Sequence, residues 1–216
     1  MAAKFPNGTV FAISTTLAAA VAITAISNAD PGVATTATPP EAGDILVLAS
    51  GWPLLNNRIV RADAPTANGF TLEGVDTSSL KSFAAGAGAG SYMLAGSWVN
   101  LSQVTDSSSS GGDQQYASWQ YMEDPTGRQQ QRPTFKNAKS IALTQDYDPE
   151  LPWYAAMQAA DGGDPVVLRA TLPGGDQLYY LAYASFDGDP TLDLNKNMSN
   201  KSTFSLISPA TRYQAA

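Results

Sequence analysis

DPELPWYAAMQAADGGDPVVLRATLPGGDQLYYLAYASF, residues 148–186, is the stretch whose reading decides the fold. Trp153, Ala156, Met157 and Ala160 fall at i, i+3, i+4 and i+7, one apolar stripe at helical spacing, while Gln158 and Asp161 lie off it. The spacing predicts one amphipathic helix over about 150–161. Asp148 reads as its N-cap with Pro149 at the first helical position, or else Pro152 marks the start, and Gly162-Gly163 supplies the stop. Beyond the stop, Val166, Leu168, Ala170 and Leu172 alternate with Val167, Arg169 and Thr171. Leu178, Tyr180, Ala182, Ala184 and Phe186 alternate likewise with Tyr179, Leu181, Tyr183 and Ser185. Period two means strands. The Pro173-Gly174-Gly175-Asp176 link is too short for a crossover, so these two strands are expected to be antiparallel neighbours, with the helix covering one face or end of their sheet.

Working outward, the chain of 216 residues has room for one large β domain or two small ones, and its composition removes whole classes of chemistry. Cysteine and histidine are both absent. That excludes disulfide scaffolding, thiolate or imidazole metal sites and every catalytic triad or dyad built on either residue. Charged residues make up 14% of the chain, against roughly 25% in a typical soluble domain. Sparse charge with much neutral polar surface fits a protein whose faces are covered by copies of itself, although an extracellular β protein has a similar composition. The net charge of −7 and pI near 4.4 argue against a basic nucleic-acid-binding surface, while leaving DNA free to pass an acidic wall without being held.

Toward the N-terminus, residues 9–14 and 20–27 read as two strands and 28–40 as a Pro/Thr/Ala-rich connector. The apolar run 17–26, with Ser27-Asn28-Ala29 after it, raises the question of a signal peptide. The single Lys4, the Pro6-Asn7-Gly8 turn and the polar Ser14-Thr15-Thr16 break do not suit a compact signal core, and the run is too short to span a membrane. Residues 44–49, 58–62 and 70–75 read as short strands around the turn at 51–57, a small β module inserted at 44–80 within a single domain covering 1–216. Residues 84–90 (AAGAGAG) form a flexible loop. They lack the GxGxxG spacing and following helix that phosphate binding requires.

Residues 92–104 return to strand character, with Trp98, Val99 and Leu101 as core contributors, and 106–113 (DSSSSGGD) reads as a mobile polar loop. Residues 115–122 place Ala117, Trp119 and Tyr121 on one face, and Asp124-Pro125-Thr126-Gly127 turns the chain into a return arm at 128–135. That arm opens with Arg128-Gln129-Gln130-Gln131-Arg132, almost without apolar residues. It has no core of its own, so it is either disordered or completed by another chain through its backbone. Gln115, Trp119, Tyr121, Arg128, Gln130 and Arg132 are the candidate inter-subunit residues. Residues 140–144 form a strand leading into the helix, and 201–208 the last strand.

No catalytic, cofactor or metal site emerges. Asp148, Glu150, Asp161, Asp164 and Asp176 are numerous enough for a glycosidase pair, yet helix caps and turns account for each of them. The serines at 107–110 have no histidine partner, and nothing recommends Lys136 or Lys139 as a substitute base. Oxygen-bearing side chains at alternate positions of 187–195 suggest calcium, but Leu192 and Met198 stand where an EF-hand loop needs Gly and Glu, so a solvated loop is the reading. Four Trp and nine Tyr invite a carbohydrate platform, although aromatics at alternating β positions more often serve a core or an interface.

The order of features resembles the tail tube (major tail) proteins of long-tailed bacteriophages. The elements that carry the likeness are the strand ending in DSSSSGGD, the hairpin QQYASWQYMEDPTGRQQQRP, the helix ELPWYAAMQAADGG, then VVLRATLPGGDQLYYLAYASF and the closing STFSLISP. GWPLLNNRIVRADAPTANGFTLEGVD, residues 51–76, is similar to a segment in some of these proteins. The resemblance implies a mainly β fold, a two-sheet sandwich or barrel-like subunit with one flanking helix and no enzymatic activity. It implies hexameric rings that stack into a tube with an acidic lumen, through which DNA passes without specific binding. The implied partners are copies of the chain, a tape-measure protein and tail-tip or terminator proteins, with no membrane and no cofactor. The implied location is the virion tail, after assembly in the host cytoplasm. The alternative from the residues alone is a secreted β-sandwich adhesin or carbohydrate-binding module.

Overall fold

A computed structural model describes residues 5–215, so Lys4, weighed above in the leader question, lies outside the described residues. In chain order the strands are β1 (Val10–Leu17), β2 (Val21–Ile23), β3 (Ala25–Ile26), β4 (Val33–Thr35), β5 (Ile45–Ser50), β6 (Arg58–Thr66), β7 (Gly69–Leu72), β8 (Gly90–Leu101), β9 (Val104–Gly111), β10 (Gln114–Trp119), β11 (Gln130–Lys136) and β12 (Lys139–Asp146). The helix α1 (Pro152–Ala160) follows, then β13 (Val166–Thr171), β14 (Gln177–Phe186), β15 (Ser199–Leu206) and β16 (Thr211–Tyr213). The chain is mainly β with one helix, as expected. Fourteen strands form one open sheet in the order β3-β4-β7-β6-β5-β8-β1-β13-β14-β15-β12-β9, with β16 beside β14 and β2 beside β8; β10 and β11 pair separately. The path ends at β3 and β9 and does not close into a barrel.

The long strand β8 joins two halves of this sheet. Its residues 90–94 pair with β5, Leu94 opposite Leu46, and its residues 95–101 pair with β1, Leu101 opposite Phe11. The halves fold face to face. Ile45, Val47 and Ile59 from one side meet Val167, Tyr179, Leu181 and Tyr213 from the other in a single apolar layer. The alternate residues of the same strands face outward into two further cores. Leu46, Leu48 and Val60 pack with Trp52, Phe70, Leu72 and Phe83 under the short N-terminal strands. Ile13, Leu168, Ala182, Ala184, Phe186 and Phe204 pack beneath α1 through Trp153, Met157 and Ala160. Strands β5 and β13 are therefore apolar on both faces, and their near-continuous hydrophobic runs follow from that burial.

The helix stripe holds: Trp153, Met157 and Ala160 are buried and Ala156 is half-buried. Its start differs from the Asp148 reading. Leu151 occupies the N-cap without a side-chain cap and Pro152 opens the helix, while the Asp148 carboxylate accepts from the Glu150 N–H at 3.2 Å in a local turn. Gly162 takes φ +63° just past the end, a left-handed conformation that ends the helix at little cost only for glycine. The hairpin of β13 and β14 is antiparallel, Val166 opposite Ala182 through Thr171 opposite Gln177.

Other readings are corrected by pairing that side chains do not announce. Residues 20–27 are split into β2 and β3, and the connector 28–40 contains β4, which pairs with β7. DSSSSG belongs to strand β9, held by backbone bonds to β12. The last strand is β16, whose Tyr213 enters the middle layer while Thr211 donates to the Ile59 carbonyl at 2.9 Å. Leu101 is buried, but Trp98 and Val99 are half-buried at the margins of their cores.

Trp153 is fully buried against Tyr154 and Phe186. Trp153→Ala is expected to cost about 3–5 kcal/mol in urea unfolding, and a loss under about 1 kcal/mol would contradict the helix's place in the core. Burial in and beside these layers raises the phenols of Tyr179, Tyr180 and Tyr213 above their ordinary range. The unfolded chain, with phenols near pH 10, then binds fewer protons than the native one above that pH, so stability is intact below about pH 10 and is lost as pH rises through the raised pKa values. A spectrophotometric titration should show a late tyrosine fraction ionising together with unfolding; simple titration of all tyrosines near pH 10 would contradict it.

Candidate functional site

The candidate inter-subunit residues lie on a ribbon that extends β9 and β12. Strand β9 leads through Gly111-Gly112-Asp113 into β10, and β11 returns through Asn137-Ala138 into β12. At the junction Gly111 has φ +80°, and a Cβ there would sit 2.0 Å from the Ala138 carbonyl oxygen, so the two chains approach at a distance only glycine permits. The Asn137 N–H donates to the Asp113 carbonyl at 2.9 Å across the same point.

Within the ribbon, Trp119 faces Gln130, Ser118 faces Gln131 and Ala117 faces Arg132, with an irregularity between Gln114 and Tyr116. The Gln115 carbonyl accepts from the Gln114 Nε2 at 3.0 Å and from the Thr134 hydroxyl at 3.1 Å. At the tip, the Asp124 carboxylate accepts from the Thr126 N–H at 2.8 Å and its hydroxyl at 2.6 Å. These bonds hold the Asp124 carboxyl below the usual carboxylate range. From Gln130 to Lys136 one edge of the return arm is paired with β10 of its own chain, and its other edge is left open. Its side chains are another matter, since every residue of β11 is exposed.

Of the expected residues, Gln115 and Trp119 are half-buried, while Tyr121, Arg128, Gln130 and Arg132 are exposed. Tyr121 and Arg128 lie beyond the ends of β10 and β11, in the connection between them. The sequence reading passed over Tyr116, Met122 and Phe135, which are also exposed on this ribbon. Isolated apolar residues in a polar, self-paired segment were the available signal. A sheet edge accompanies the ribbon: β9 ends the large sheet, and all of its residues after Val104 are exposed.

An open groove of about 570 Å³ lies beside the junction, floored by Phe11, Ile141, Leu172, Leu178 and Tyr180 and rimmed by Thr9, Thr105, Ser107, Ser109, Asp106 and Lys139. Its hydroxyls have no histidine to activate them, because the chain contains none. Among the described residues no cluster of three or more Asp, Glu, His or Cys is placed to hold a metal ion, and no helix is long and apolar enough to cross a membrane. What the arrangement offers is an open backbone edge at β9 and uncovered side chains on the ribbon.

Fold and site together define a mainly β protein with an open sheet edge and an exposed two-stranded ribbon. A family model described as phage tail tube protein, TTP, matches residues 50–215, most of the chain, and the chain belongs to this family. It is a family of structural components of the phage tail and not of enzymes, which sets aside the adhesin and carbohydrate-binding alternatives. No curated protein matches. Among solved structures, similar chains come from the virion of a native gene transfer agent particle (TM-score 0.41, 11% identity, covering 54% of this chain and 88% of that one). Others come from the extended sheath–tube complex of the extracellular contractile injection system PVC (0.33, 16%, 50% and 80%) and from the tube terminating cap of the anti-feeding prophage (0.32, 20%, 50% and 79%).

Deleting residues 115–132 is expected to leave a cooperatively folded monomer with an unchanged far-ultraviolet circular dichroism band shape, because these side chains add nothing to the three cores. Loss of the folded spectrum would make the ribbon part of its own subunit's core.

Proposed function

We propose that this tail tube protein assembles as homo-hexameric rings that stack into the tube, and that DNA passes along its lumen without specific binding during ejection. The observation that carries the reading is the β10–β11 ribbon, paired to itself through its backbone while every side chain of β11 is exposed. A segment of this kind gains by burial only against another chain. The exposed edge of β9 offers a second surface, suited to continuing a sheet across subunits. A net charge of −7 and the absence of histidine suit a wall past which a polyanion slides.

In this reading Gln115, Trp119, Tyr121, Arg128, Gln130 and Arg132 contact neighbouring copies, and the chain is one tail-tube domain in which residues 44–80 form a built-in module. A tape-measure protein fills the growing tube, tail-tip and terminator proteins bound its ends, and assembly takes place in the host cytoplasm. Electron microscopy of the purified protein, concentrated or mixed with its tail-tip complex, is expected to show six-fold rings or tubes. Particles that remain monomeric under every condition would overturn the proposal.

A further inference from the structure

The surface that receives the ribbon is legible from the polarity of the large sheet. Strand β12 runs from Lys139, where the ribbon attaches, to Asp146, and Asp146 pairs with Ser199 at the start of β15. The loop 187–198 between β14 and β15, together with residues 146–150 that lead into α1, therefore lies at the opposite end of the same strands, about 25 Å away at ~3.3 Å per residue. That loop carries Leu192 and Leu194, which are 78% and 90% exposed, and the exposed Met198. Its base is held in place. Asn200 donates its Nδ2 to the Asp187 and Gly188 carbonyls at 3.0 and 3.2 Å, Tyr154 donates to the Gly188 carbonyl at 3.0 Å, and the Thr191 N–H donates to Ser199 at 2.8 Å.

The two ends are complementary in charge as well as in apolar content. The acceptor end bears Asp146, Asp148, Glu150, Asp187, Asp189 and Asp193 against Lys196, which is itself paired with Asp193 at 3.1 Å. Residues 128–139 of the ribbon bear Arg128, Arg132, Lys136 and Lys139 and no acid, all four exposed, and the tip presents Tyr121 and Met122. The carboxylates Asp113, Glu123 and Asp124 lie on the outgoing strand side and the tip.

We infer that the ribbon of one subunit docks on the 187–198 loop of a second copy, with Tyr121 and Met122 against Leu192 and Leu194, and the basic return strand along the carboxylates. Donor and acceptor occupy opposite ends of one sheet, so the contact is heterologous and each docking leaves a free donor and a free acceptor, which propagates the assembly. Charge complementarity sets the orientation and the apolar pair excludes water. The inference rests on the tail-tube reading above and names the partner surface of that ribbon.

The test uses the full chain, whose lack of cysteine leaves no competing thiol. Met122→Cys and Leu194→Cys proteins, both exposed substitutions, are mixed under assembling conditions, oxidised and run on a non-reducing gel. A disulfide-linked dimer several-fold above that from Met122→Cys mixed with Leu80→Cys is expected. A yield no higher than that control, in a mixture that still forms rings or tubes, overturns the docking and leaves the tail-tube reading standing; absence of any assembly by the wild type overturns both. As a second measure, Arg132→Glu/Lys136→Glu is expected to stop assembly and Asp187→Lys/Asp189→Lys to restore it in the combined chain, and assembly by the first pair alone at wild-type level would also overturn the docking.

Discussion

One apolar layer holds the two halves of the large sheet together, and the rest of the architecture depends on it. Ile45, Val47 and Ile59 face Val167, Tyr179, Leu181 and Tyr213, and the hydroxyl of Tyr213 accepts from the Arg61 N–H at 2.7 Å, tying the chain's end to its first third. Arg61 stacks over the same ring at 4.4 Å and is paired with Glu73, so the edge of the layer is closed by charge held in place. Because β8 serves β5 with one end and β1 with the other, neither half can shift without breaking a continuous strand. Burial on both faces of β5, β13 and β14 then sets the two outer cores without further instruction.

This rigid body leaves the ribbon of β10 and β11 outside all three cores. Its two strands pair with each other along one edge each, so it persists as a ribbon, yet its side chains enter none of the three cores and every residue of β11 is exposed. A two-stranded ribbon is marginal by itself in water and becomes well defined once another surface covers it. In the proposed tube the labour is divided: the sandwich supplies stability, and the ribbon, the β9 edge and the 187–198 loop are the surfaces assigned to neighbouring copies.

How much of this could be read from sequence depends on where side chains report their surroundings. The stripe Trp153, Met157 and Ala160 and the alternation in 166–186 are burial patterns, so the helix and the hairpin beside it were legible. Serines 107–110 enter no core, and strand propensity largely measures packing, so β9 read as a loop although one edge of it is paired with β12. Tyr213 lies beyond the expected last strand, 201–208, and its partners Tyr179 and Arg61 are far away in sequence. The ribbon was identifiable because Arg128 to Arg132 has nothing to bury. The acceptor loop was not, since its place opposite the ribbon arises from the register of β12 with β15, in which Asp146 meets Ser199.

The central claim is that the ribbon is completed by other copies while the sandwich is complete in itself. Amide hydrogen exchange, measured on the free subunit and again on the assembled tube, tests this directly. The account predicts that β13 and β14 are protected in both states, and that amides of residues 114–136 exchange quickly in the free subunit and slow markedly on assembly. Equal protection of the ribbon and the sandwich in the free subunit, or a ribbon whose exchange does not change on assembly, would contradict it.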